Sequence, residues 1–225
     1  EDIWHDDVSA VPHKARIIQI ENNNQQLAFN FPLDLGICAD LAPTLADLVV
    51  SIRAGDGHFL KAANSRNTDL AAGSEAKAQQ AKAELERAWS DTPMAPFRAL
   101  HELANGLPEG AIVVDESITA FSDVARLFDF RRPGDYFAGR GGGIGQGLAG
   151  AIGTQVACPD RRVVALSGDG SAMYSIQALW TAAHHELPIV FVILSNREYR
   201  VLKHNLDTYR RRFDIMSDKP YPHMN

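Results

Sequence analysis

Two residues in the second half of the chain have the types and the setting to hold a cation. Asp169 stands between Gly168 and Gly170 in "VVALSGDGSAMYS" (163–175), and Asn196 closes the next apolar run, "PIVFVILSN" (188–196). A carboxylate and an amide oxygen are hard donors of the kind Mg2+ or Ca2+ takes. Two donors make a poor cage alone. Mg2+ completes its shell with water and phosphate oxygens, so a diphosphate ligand fits the gap. Gly168 and Gly170 would let backbone N–H groups approach that phosphate, and the start of the following helix adds a favourable dipole. By itself Gly-Asp-Gly is ordinary turn chemistry. A second copy at 55–57 has no strand before it and reads as linker.

The elements around these residues give them a setting. "AIVVDES" (111–117), "RRVVALS" (161–167) and "PIVFVILSN" (188–196) read as buried strands. Between them come helical patterns at 118–128, 143–157 and 173–186, with a loop over 129–142. "DTPMAPFRALHELANG" (91–106) opens with capping residues and an early proline and ends on glycine, as a helix does. Strands without polar alternation, each followed by a helix, predict an α/β fold: a parallel sheet with helices on both faces. Ligands of such sheets sit beyond the carboxyl ends of the strands. Three of those ends are polar here: "DES" (115–117), "GDGS" (168–171) and "SNRE" (195–198).

Upstream, "ARIIQIE" (15–21) and "DLGICAD" (34–40) read as short strands and "APTLADLVVSIRA" (42–54) as a helix, the end of a second α/β domain. Residues 55–74 lose periodicity and collect Gly, Asn and Ser, which predicts a linker. "SEAKAQQAKAELERAW" (74–89) predicts a surface helix. The expected organisation is therefore the C-terminal part of one domain over 1–54, linker and surface helix over 55–90, and a diphosphate- and Mg-binding domain over 91–225. Both termini read as cut, so a fragment of a longer protein is expected.

The bulk numbers exclude several classes. In 225 residues, 45% are hydrophobic and 22% charged, the balance of a folded globular chain. A formal net charge of −6 leaves no basic surplus for phosphate backbones, so no nucleic-acid partner is expected; the short "YRRRF" (209–213) reads as a solvated helix end. Two distant cysteines, Cys38 and Cys158, suit a reducing cytoplasm better than a disulfide framework. No apolar run nears the roughly 18 residues that a membrane span needs, so no membrane partner is expected.

The run "GDGSAMYSIQALWTAAHHELPIVFVILSNREY" resembles the signature of thiamine diphosphate-dependent enzymes, which opens on Gly-Asp-Gly and closes on Asn after one helix and one strand. The likeness is strongest to benzoylformate decarboxylase-like 2-oxo acid decarboxylases, with acetolactate synthase-like relatives next. It extends back through "TPMAPFRALHELANGLPEGAIVVDES" and "GGGIGQGLAGAIG". The resemblance implies thiamine diphosphate and Mg2+ as cofactors, with the metal held by Asp169, the Asn196 side chain and the backbone carbonyl of Glu198. It implies diphosphate contacts from amides around Gly170 and Ser171 and from the Thr119 hydroxyl. Ile144 would be the bulky residue that bends the cofactor, and the Gly142 carbonyl would meet the aminopyrimidine. Ile118 and Ser195 depart from the family's usual residues without removing a metal ligand. The resemblance further implies a homodimer or homotetramer with cofactor at a subunit interface, and an activating glutamate from an N-terminal domain outside these residues. A chain of this extent alone would then be inactive.

Rival readings remain open at this point. Gly145, Gly147 and Gly150 spell G-x-G-x-x-G, but "RRPGDYFAGR" precedes them where a dinucleotide site wants a strand. A non-catalytic protein of the same fold is a second rival. His184 and His185 read as one packed and one solvated imidazole rather than a metal pair. Ile176, Leu179 and Trp180, at helical spacing, read as core. Asp115 and Glu116 make a paired acid, but Ser117 and Thr119 beside them suit phosphate-loop chemistry better than glycoside hydrolysis. Tyr199, Val201, Leu202 and Asn205 read equally as substrate-side residues or a packing face, and Asn205 is more polar than a pocket for an aromatic acid favours.

Overall fold

The computed structural model describes residues 11–12, 14–55, 57–139, 142–215 and 220–221. The readings of both termini, and of Asp56 in the first Gly-Asp-Gly, lie outside these residues. The chain divides into two compact units between Gly73 and Ser74, inside the stretch read as linker and surface helix.

The first unit has two short strands, β1 (Ile18–Glu21) and β2 (Leu35–Cys38), paired in parallel, followed by helix α1 (Leu41–Ala54). Helix α2 then runs over Gly57–Ala88. This corrects the expected linker over 55–74. Leu60, Lys61, Ala62, Ala63, Leu70, Ala71 and Ala72 are strong helix formers, and they outweigh the scattered Asn, Ser and Gly. The reading failed because an exposed helix needs no apolar stripe, so periodicity carries no signal there.

The second unit is a four-stranded parallel sheet, order β4-β3-β5-β6: β3 (Ile112–Glu116), β4 (Tyr136–Ala138), β5 (Val163–Gly168) and β6 (Ile189–Leu194). Helix α3 (Pro96–Gly106) precedes it; Pro96 takes a first-turn position, while Ala95 makes no side-chain cap where Asp91 and Thr92 were expected to. After β3 a 3-10 turn (Ile118–Ala120) leads into α4 (Phe121–Leu127), and α5 (Gln146–Ala157) connects β4 to β5. Helices α6 (Asp169–Met173) and α7 (Ala178–His184) connect β5 to β6, and α8 (Arg200–Arg212) follows.

Alternation along the central strands sends side chains to two cores. Val113 and Leu166 pack with Leu100 of α3 and Val124 of α4 on one face. Ile112, Val114, Val163 and Ala165 pack with Ala151 of α5 on the other. All five residues of β3 are buried, so the predicted two-sided α/β sheet is what this unit is.

Three local expectations change. The loop expected over 129–142 contains strand β4, whose three residues are too few for a pattern to show. The helix expected over 173–186 is broken between Met173 and Ala178. Ile176, Leu179 and Trp180, expected in the core, are 38%, 37% and 67% exposed; helical spacing shows which residues share a face, not what covers it.

Candidate functional site

The polar strand ends converge because the parallel register aligns them: Glu116 pairs with Ser167, and Gly168 with Leu194. Gly168 ends β5 and Asp169 opens α6. The Asp169 carboxylate accepts the Arg197 N–H at 2.9 Å and the Ser195 hydroxyl at 3.4 Å, so the segment after β6 is tied to the end of β5. Asn196 Oδ1 accepts the Glu198 N–H at 3.0 Å. No ion pair reaches Asp169 among the described residues.

The Glu198 side chain is committed elsewhere. Its carboxylate pairs with Lys203 at 2.6 Å and Arg200 at 3.8 Å. The Lys203 hydrogen bond holds that carboxyl below the usual range, against a smaller upward push from burial. The Glu198 carbonyl accepts the Arg200 N–H at 2.9 Å, and a carbonyl oxygen has a second lone pair.

A small cleft of about 80 Å3 gathers most of the residues singled out from sequence. Thr119 and Ile144 line it from the β3 and α5 sides, Asp169, Gly170 and Ser171 from α6, and Asn196 and Glu198 from beyond β6. Gly142 is not among them. It lines an adjoining cleft of about 210 Å3 that shares Ser117 and Ile118 with the first. Ile118, at the junction, has φ +50, a left-handed conformation that is strained for a β-branched residue. Strain of this kind concentrates where a site needs a particular backbone direction.

The donor set suits Mg2+. A charged carboxylate, an amide oxygen and a carbonyl are hard, and three protein oxygens leave positions for phosphate and water. Among the described residues no group of three or more His, Cys, Asp and Glu side chains could hold a metal. Space also fits: a Cβ added to Gly170 would meet nothing nearer than Tyr199, at 4.0 Å.

Two buried acids that spacing alone did not explain are structural. Glu116 accepts the N–H groups of Gly145, Gln146 and Gly147 at 2.7, 3.0 and 2.9 Å. It thereby satisfies the first amides of α5 and meets the positive end of its dipole. Asp115 accepts the Ser117 N–H and the Tyr136 hydroxyl, both at 2.8 Å. Burial, then the Asp115 partner, raises the Tyr136 pKa, so the phenol remains a donor. The available signal was a pair of acids ending an otherwise apolar strand, because a buried carboxylate must find donors.

Glu116 also decides against the dinucleotide reading. A strand, β4, does precede the G-x-G-x-x-G run, contrary to expectation. Yet the amides a pyrophosphate would need at the start of α5 are already taken by Glu116. Gly147 is required for packing: a Cβ there would stand 2.8 Å from the Glu116 Cβ.

Among the histidines, His184 stacks on Trp180 at 4.7 Å and meets His185 edge-on at 4.9 Å. Neither lines the clefts described above.

Comparison with known proteins agrees with this geometry. Residues 118–223 match the family described as thiamine pyrophosphate enzyme, C-terminal TPP binding domain. Benzoylformate decarboxylase of Pseudomonas aeruginosa is 42% identical over 111 residues, which cover 49% of this chain and 20% of that protein. Chloroplastic acetolactate synthase 2 of Nicotiana tabacum is 28% identical over 194 residues, covering 84% of this chain and 28% of that protein. The solved structure of a thiamine diphosphate-dependent 4-hydroxybenzoylformate decarboxylase from Rhodococcus jostii RHA1 superposes with a TM-score of 0.68 at 24% identity. It covers 99% of this chain and 38% of that one, and shows a shared fold. The chain thus spans only a minor part of each of these relatives. The sheet, the order of its polar strand ends and the sequence match agree: residues 118–223 match the C-terminal TPP-binding domain of thiamine pyrophosphate enzymes.

Proposed function

We propose that this chain is the diphosphate- and Mg2+-binding part of an enzyme that decarboxylates a 2-oxo acid. The observation that carries the reading is the convergence of Asp169, Gly170, Ser171, Asn196 and Glu198 on one cleft at the carboxyl end of a parallel sheet. Thiamine diphosphate, when bound, supplies the electron sink that lets CO2 depart.

The chain's own residues bind and orient. Asp169, the Asn196 amide and the Glu198 carbonyl would hold Mg2+, with Asp169 and Asn196 kept in place by the N–H groups of Arg197 and Glu198. The Gly170 and Ser171 amides and the Thr119 hydroxyl would receive the diphosphate. Ile144, 48% exposed at the start of α5, would give an apolar support for the cofactor's rings, and the Gly142 carbonyl in the adjoining cleft would accept from the aminopyrimidine. A homo-oligomer with the cofactor at a subunit interface belongs to the same reading.

The test is binding. The intact protein should take up thiamine diphosphate only with Mg2+ present, and Asp169→Ala should weaken that uptake at least roughly hundredfold, a loss of about 3 kcal/mol. Calorimetric titration measures both, and unchanged affinity in the variant would sink the metal assignment.

A carboligase like acetolactate synthase is the second reading, favoured by the greater stretch of this chain that the tobacco relative covers. A panel of 2-oxo acids separates the two: release of the aldehyde supports decarboxylation, and a 2-hydroxy-2-methyl-3-oxo acid product supports ligation.

A further inference from the structure

The turn that follows β3 is unfavourable in two ways at once. Ile118 is left-handed, with φ +50, where a β-branched side chain crowds its own backbone. Beside it Ser117 is buried, and its hydroxyl has no hydrogen-bond partner among the described residues. A buried polar group without a partner destabilises the fold. Features of this kind persist only where the surroundings impose them, and they point to a function for the segment that carries them.

Asp115 is what imposes them. It is 2% exposed, and both of its carboxylate oxygens are used: one accepts the Ser117 N–H and the other the Tyr136 hydroxyl, each at 2.8 Å. The Ser117 carbonyl accepts the Ala120 N–H at 3.3 Å, which closes the 3-10 turn around Ile118. Tyr136 is itself anchored. Its strand pairs with β3, and its ring packs against Phe130 at 4.6 Å and Phe121 at 6.5 Å. The carboxylate thus ties the turn to strand β4 as well as to its own strand.

The turn forms the wall between two clefts. Ser117 and Ile118 line both the cleft of about 80 Å3 that gathers Asp169 and Asn196 and the adjoining one of about 210 Å3 that Gly142 lines. A ligand with a diphosphate at one end and rings at the other must pass Ile118 to occupy both. The backbone direction at this one residue therefore sets the path between them.

We propose that Asp115 is a positioning residue: through the Ser117 N–H, and steadied by the Tyr136 hydroxyl, it holds Ile118 where both ends of thiamine diphosphate can be bound at once. This rests on the cofactor reading above. Asp115→Ala removes both hydrogen bonds. Asp115→Asn keeps an oxygen for the Ser117 N–H, just as Asn196 accepts from the residue two positions on, at 3.0 Å. The Tyr136 hydroxyl can accept from the new amide. Tyr136→Phe keeps the ring and its packing and removes only the steadying bond.

Calorimetric titration of the intact protein with saturating Mg2+, using thiamine diphosphate and inorganic diphosphate separately, tests the assignment. Asp115→Ala should bind thiamine diphosphate at least roughly tenfold more weakly, as when an outer partner of a ligand-holding group is lost. Inorganic diphosphate, which has no rings to carry past Ile118, should lose much less. Asp115→Asn should bind thiamine diphosphate nearly as the parent does, and Tyr136→Phe should fall between Asp115→Asn and Asp115→Ala. Tyr136→Phe against the parent decides the case if Asp115→Ala does not fold. Thiamine diphosphate binding as tight as the parent's in the folded variants overturns the inference and leaves the cofactor reading standing. Equal losses for the two ligands also overturn it, since the whole site rather than the turn would then have changed. A parent protein that does not bind thiamine diphosphate overturns both proposals.

Discussion

Carboxylates near the strand ends do three different jobs, and the partners of each define the job. Asp169 accepts only neutral donors and has no cationic partner among the described residues, in keeping with the metal role proposed for it. Glu116 is spent on the amides of α5. Asp135 is buried and pairs with Arg161, whose guanidinium also donates to the Gly110 and Gly134 carbonyls. Burial pushes the Asp135 carboxyl up, but the Arg132 N–H and Arg161 together outweigh it and hold it below the ordinary carboxylate range. A carboxyl with a lowered folded pKa contributes stability that is complete above its unfolded pKa and is lost as pH falls through the folded value. Urea unfolding at a series of pH values should therefore show stability declining below about pH 5, and Asp135→Asn should make that decline shallower. Equal slopes in parent and variant would remove Asp135 as the cause. None of these assignments follows from residue type. Asp169 was legible because its flanking glycines and Asn196 form an ordered pattern, whereas Glu116 and Asp135 depend on partners brought from distant parts of the chain.

At the scale of elements, α5 shows how tightly a helix is held to the end of a strand. Glu116 reaches the first amides of α5 because Gly147 lets the two backbones approach. In Gly147→Ala the new Cβ would lie 2.8 Å from the Glu116 Cβ, so either the helix or the carboxylate must shift. A loss of about 1–3 kcal/mol is expected from overpacking of this kind. Gly153, in the same helix, would meet nothing within 4 Å, and Gly153→Ala should instead add about 0.5–1 kcal/mol through helix propensity. Chemical denaturation of the two variants side by side checks the contrast; similar effects in both would show that propensity, not contact, governs α5. The central strands and α5 were readable from their apolar runs and small residues. Strand β4 and helix α2 were not, the first because it is short and takes its place by pairing with β3, the second because exposed helix leaves no periodic trace.

At the scale of the molecule, the second unit leaves apolar side chains uncovered. Met173, Tyr174, Ile176 and Trp180 around α6 and α7 are 67%, 60%, 38% and 67% exposed, and Val190 and Ile193 of edge strand β6 are 43% and 39% exposed. A large exposed apolar surface marks an interaction site, which supports the proposed oligomer. Trp180→Glu should weaken self-association by roughly tenfold or more, as loss of an aromatic anchor does. Sedimentation velocity over a range of concentrations measures it, and an unchanged distribution would exclude Trp180 from the contact. Among the described residues no helix is long and apolar enough to cross a membrane.

The sequence by itself determined the parallel α/β sheet, its polar strand ends and the ordered pair of Asp169 and Asn196, because local periodicity and short-range motifs encode them. Tertiary structure alone decided which oxygens and cations remain available at the site. It assigned Glu116 to α5, committed the Glu198 carboxylate to Lys203 and Arg200, and left Asp169 with neutral donors only among the described residues. The physical reason is that a buried or paired charge is defined by what folding brings to it: the amides that Glu116 accepts lie 29 to 31 residues on, and the donors to Asp169 lie 26 and 28 residues on.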